Sequence, residues 1–66
     1  MQVQVNGDPM VVADTTTLLG LIEQMQLAGK RVAVELNGQI VPRSLHEQTR
    51  LQAKDCVEIV QAIGGG

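Results

Sequence analysis

His46 and Cys56 are the single histidine and the single cysteine of this 66-residue sequence, and seven carboxylates are scattered around them. A zinc site takes about four ligands, some of them close together in the chain. One imidazole and one thiol do not make that set. A lone histidine in a polar stretch reads as a surface residue. Cys56 falls in a predicted strand, where a small thiol packs as an apolar group; no cation and no helix start beside it favours a thiolate. No pair of carboxylates has a spacing that forces acid–base partnership. A chain this short leaves little room for a pocket of about 300 Å³ or more. The side chains therefore argue against an independent enzyme.

What is left is a main-chain group. The sequence closes on Gly64, Gly65 and Gly66, directly after an apolar strand pattern. One reading is a frayed end or a remnant of processing. The other starts from geometry. Residues without Cβ form a thin, extensible arm, and glycine lets a backbone enter a narrow channel that any side chain would block. The carboxylate at its tip is a poor electrophile, so chemistry on it needs activation by a partner. Val60, Ala62 and Ile63 lead into this arm and are the candidate docking residues. An apolar patch with polar neighbours marks a protein contact, although scattered surface apolars are also ordinary.

An arm needs a body to hold it. Val3 and Val5 alternate with Gln2 and Gln4, the period of a half-buried strand. Asn6-Gly7-Asp8-Pro9 is a dense turn signal, and residues 10–13 read as the returning strand. Leu18, Leu21, Ile22 and Met25 then fall on one helical face. Thr17 is the expected N-cap, Gly20 at N3 excludes a capping box, and Gly29 sits where a left-handed C-terminal residue is wanted. The helix is expected over residues 18–28. Residues 32–36 alternate again, Asn37-Gly38 is a strong hairpin signal, and Pro42 stops a short partner strand over 39–41. Leu45 and Leu51 are expected anchors in a mixed stretch with room for one short helical turn. Residues 55–63 form the last strand, with Val57 and Ile59 on one face and Cys56, Glu58 and Val60 on the other. The order is β-β-α-β-β-β, an α+β arrangement with one helix covering one face of a mixed sheet. A right-handed crossover is expected if the helix joins parallel neighbours.

Composition narrows the classes further. The chain is 44% hydrophobic and 18% charged, too apolar for a disordered tail. At 7.1 kDa it allows one domain. The net charge of −2 gives no basic stripe for a phosphate backbone, and the absence of aromatics removes base-stacking platforms. No apolar run approaches the roughly 20 residues of a membrane span, and the first residues lack the blocks of a signal peptide. Partners among nucleic acids or membranes are not expected. One cysteine makes no internal disulfide, and a reducing compartment is the natural home.

Three stretches, Val34-Glu35-Leu36-Asn37-Gly38-Gln39-Ile40-Val41-Pro42-Arg43, Asp55-Cys56-Val57-Glu58-Ile59-Val60 and the terminal Gly-Gly, carry a family resemblance. With the chain length, they are similar to the ThiS-type sulfur carriers of thiamine biosynthesis, ubiquitin-like β-grasp proteins. The resemblance covers nearly the whole chain. It implies a β-grasp fold: a mixed sheet of about five strands with one main helix, a single domain over residues 1–63 and a flexible glycine tail over 64–66. It implies no catalysis by the chain itself and no bound cofactor or metal. An E1-like adenylyltransferase of the ThiF type would spend ATP and Mg²⁺ to turn the Gly66 carboxylate into an acyl-adenylate. Sulfur from a persulfide donor would then replace AMP, and the thiocarboxylate would serve a ThiG-type thiazole synthase in the cytoplasm. Two departures stand out. His46 occupies a position where members often carry Trp, removing an apolar anchor. Lys54-Asp55 replaces the usual Gly-Asp, so a positive φ at Lys54 is mildly strained. Alternatives are the small subunit of molybdopterin synthase, which is typically longer and richer in aromatics, a ubiquitin-like modifier, and a plain interaction module.

Overall fold

The structure, a computed structural model, describes residues 1–61. Its elements are β1 (Gln2–Val5), β2 (Asp8–Val11), α1 (Leu18–Gln24), β3 (Val32–Leu36), β4 (Gln39–Ile40), a single 3-10 turn (Arg43–Leu45) and β5 (Cys56–Gln61). The expected order of strands and helix holds. The strands form one sheet in the order β2-β1-β5-β3-β4. Only β1 and β5 run parallel; the other neighbours are antiparallel. The last strand of the chain therefore lies at the centre of the sheet. β2 and β3 are not neighbours, so the condition set for a parallel crossover does not arise.

Both hairpins close on two-residue turns. Val5 pairs with Asp8 and Leu36 with Gln39. The intervening Asn6, Gly7, Asn37 and Gly38 have φ of 52°, 88°, 52° and 86°, the left-handed pair that suits the strand twist. The first turn is thus tighter than expected, because Asp8 and Pro9 already belong to β2. Proline is tolerated there since β2 is the sheet edge.

The asparagines do more than turn. Asn6 Oδ1 accepts from the Ile59 N–H at 2.8 Å, and its Nδ2 donates to the Ile59 carbonyl at 3.2 Å. On the other side, Asn37 Oδ1 accepts from the Cys56 N–H at 2.9 Å. The amides thus continue the backbone ladder past the ends of β1 and β3, and both grip β5.

The helix is shorter than expected. Thr17 caps it as anticipated, its hydroxyl accepting from the Gly20 N–H at 3.1 Å. The Leu18 and Leu19 N–H groups donate to the carbonyls of Thr49 and His46. The start of α1 is thereby tied to the stretch after the 3-10 turn. At the other end the chain turns left-handed at Gln26, φ 63°, not first at Gly29. The Gln26 N–H donates to Glu23 O and the Leu27 N–H to Ile22 O, the bond pair of a Schellman motif. Gly29, φ 81°, lies in the following turn.

The core is wholly aliphatic: Val3, Val5, Val12, Leu18, Leu21, Ile22, Val34, Leu51, Val57 and Ile59 are buried. Met25 completes the expected helix stripe only in part, half-buried against this cluster. Of the two expected loop anchors, Leu51 is buried but Leu45 is 44% exposed. The second anchor is His46, only 4% exposed, which corrects its reading as a surface residue. Its Nε2 lies 2.9 Å from Val41 O. A carbonyl only accepts, so Nε2 carries the proton. One hydrogen bond allows the ring to be buried where an apolar side chain was expected to be missing. Lys54 adopts φ 71°, the strain its place before Asp55 implied.

Candidate functional site

The helix and the 42–51 stretch cover one side of the sheet. The other side is open, and strand parity decides what it shows. Directly opposed residues share a face, so Ala33 with Val60, Glu35 with Glu58, Glu35 with Ile40, and Gln4 with Cys56 all point outward. Val60 is 64% and Ile40 72% exposed. This places the expected docking residue Val60 on a free surface, beside an exposed Ala33. The further candidates Ala62 and Ile63, and the arm Gly64, Gly65 and Gly66, lie outside the described residues.

Cys56 departs from its expected packing role. It is exposed and unpaired, with Sγ 3.7 Å from Gln4 Oε1. The parity was read correctly, but the outer face of β5 has no covering layer. Gln2, Val3, Gln4, Lys54 and Cys56 line a surface depression of about 400 Å³, more room than chain length suggested. It is a shallow hollow edged by exposed side chains. Among the described residues no group of three or more His, Cys, Asp or Glu is placed to hold a metal ion. No described helix is long and apolar enough to cross a membrane.

Two outward residues escaped the sequence reading. Glu35 and Ile40 flank Asn37-Gly38, and the turn type alone places them opposite each other. Which residue of β5 would face Glu35 was not visible, because nothing local in sequence fixes the β3–β5 register. The structure brings Glu58 there.

The described surface is thus a body with one bare sheet face, centred on the strand from which the chain continues to Gly66. Comparison with known proteins supplies what this geometry leaves open. The model of the ThiS family matches residues 3–66. The chain is 38% identical over 64 residues to the "Sulfur carrier protein ThiS" of Bacillus subtilis, covering 96% of this chain and 97% of that protein. It is 39% identical over 66 residues to a thiazole synthase of Magnetococcus marinus, of whose length it spans 20%. A crystal structure of a thiamine biosynthesis protein (ThiS) from Geobacter metallireducens superposes with a TM-score of 0.85 at 33% identity, over the whole of both chains.

Proposed function

This chain belongs to the ThiS family, and from that membership we propose that it is a sulfur carrier in thiamine biosynthesis, supplying sulfur for the thiazole ring. It acts as a carrier, not as an enzyme. The observation that carries this reading is the family match itself, which runs through the glycine end to residue 66.

The chemistry takes place at Gly66. An E1-like adenylyltransferase of the ThiF type transfers AMP from ATP to the carboxylate, with Mg²⁺ on the departing pyrophosphate. The acyl-adenylate has a good leaving group where the free acid has none. The terminal sulfur of a persulfide donor displaces AMP to form an acyl disulfide, and a thiol then cleaves that S–S bond reductively, itself ending in a disulfide, to leave a thiocarboxylate, a soft nucleophile largely ionised near neutral pH. A ThiG-type thiazole synthase accepts the sulfur and returns the carboxylate. Two observations support that last partner. The thiazole synthases of Magnetococcus marinus and Paramagnetospirillum magneticum each contain a stretch similar to the whole of this chain. A stretch like this chain thus occurs within proteins named thiazole synthase. The exposed, unpaired Cys56 suits a reducing, cytoplasmic setting.

Intact-mass spectrometry of the protein, purified without acid from cells with an active sulfur relay, tests the reading. A fraction carrying one sulfur in place of one oxygen at Gly66 is expected. Deleting Gly66 removes that fraction and stops thiazole formation. Only the free acid under these conditions, or thiazole formation that survives the deletion, overturns it.

A further inference from the structure

Asn6 ends the pairing of β1 with β5. The two strands run parallel through Gln4–Cys56 and Val5–Val57, and the Asn6 N–H still donates to the Val57 carbonyl at 2.9 Å. The chain then turns at φ 52°, and the β1 backbone leaves β5 there. The next groups in the ladder are the part-buried N–H and C=O of Ile59. The Asn6 side chain takes both, at 2.8 and 3.2 Å. One amide thus stands in for a backbone pair that β1 lacks. On its other side β5 pairs with β3 as far as Val32–Gln61. Ile59 has spent its main-chain groups on Asn6, so in the alternating antiparallel pattern it gives none to β3. Asn6 is the last hold on the β1 side of β5 before the chain runs on to Gly66. Asn37 is a matched case. It has the same φ of 52°, and its Oδ1 accepts from the Cys56 N–H at 2.9 Å, but this grip is at the start of β5.

We propose that Asn6 is a positioning residue for the chemistry at Gly66: its amide fixes the place and direction from which the chain end leaves the sheet. The five residues after Gln61 span at most about 18 Å when extended. The reach of Gly66 is therefore counted from the last point at which the sheet holds β5. Without the amide, the β1 side of β5 is free from Ile59 onward. The loose segment lengthens, and fewer encounters bring the carboxylate into line. A displacement of reacting atoms by about 1 Å costs on the order of a hundredfold. The inference rests on the carrier reading for the reaction, and on the hydrogen bonds for the choice of residue.

The test is steady-state adenylation of the full-length chain by a ThiF-type adenylyltransferase, followed by pyrophosphate release while the carrier concentration is varied. The temperature is one at which circular dichroism shows each variant folded. Asn6→Gly keeps a Gly-Gly turn and is expected to lower kcat about tenfold, with KM for the carrier little changed because the body keeps its shape. Asn37→Gly removes the comparable bond at the far end of β5 and is expected to keep the wild-type kcat. Asn6→Asp tolerates the left-handed turn and accepts from the Ile59 N–H, but it has no donor for the Ile59 carbonyl. Its kcat should fall in the same direction, and it decides the matter if Asn6→Gly does not fold. A wild-type kcat in the Asn6 variants, a loss confined to KM, or equal losses in Asn6→Gly and Asn37→Gly overturns the positioning role and leaves the carrier reading intact. A wild-type chain that is never adenylated overturns both.

Discussion

At the residue scale, the asparagines at the two turns carry two separate jobs, and substitution separates them. Asn6 must adopt φ 52° and must also bridge both backbone groups of Ile59. Glycine satisfies the first demand and not the second. Asn6→Gly should keep the hairpin yet lose about 1–2 kcal/mol of stability, the usual worth of two part-buried hydrogen bonds after water competes for them. Urea denaturation measures this, and an unchanged midpoint would mean the amide is idle. The positive-φ role was legible in the sequence, because Asn-Gly between alternating runs has few other uses. The grip on β5 was not, since it joins residues 53 positions apart. His46 was misread for a related reason. Its burial depends on the Val41 carbonyl, five residues earlier, being turned toward it across the 3-10 turn, and no periodic pattern announces a single backbone acceptor.

At the element scale, the strands were readable because parity survives any register: Val3, Val5, Val34, Val57 and Ile59 are all buried. The end of α1 was less so. Gly29 looked like the stop, but Gln26 takes the left-handed position three residues earlier. Tertiary packing decides it, for Leu27 then lies against the core as a partly buried side chain. A glutamine there carries a Cβ penalty of about 1–2 kcal/mol, part of which glycine would return through its freer unfolded state. Gln26→Gly should therefore raise stability by a net of about 0.5–1 kcal/mol, seen as a melting temperature higher by several degrees in a domain of this size. A lower melting temperature would show that the glutamine side chain contributes contacts that outweigh the strain.

At the scale of the whole molecule, the position of β5 decides how folding and function divide. The last strand to be made is the central one, held by β1 on one side and β3 on the other and gripped by Asn6 and Asn37 at its flanks. The asparagine grips fall on Ile59 and Cys56, within the described body. Stability of about 3–10 kcal/mol, the range expected for 66 residues, is accounted for by the aliphatic cluster under that strand. A change in the glycine arm should then act on the partner's chemistry and not on the body. Gly65→Val is the sharpest case. Valine adds a branched Cβ at the point where the proposed function requires a bare backbone to thread an active site, and displacing a reacting carboxylate by about 1 Å can cost on the order of a hundredfold in rate. Equal urea midpoints for the two proteins, together with an adenylation rate lower by about two orders of magnitude, are the expected results. An unchanged rate would mean that the channel is wide, and the run of glycines would need another cause. A lowered midpoint would mean that the arm packs on the body, and the division between a holding domain and a reactive end would fail.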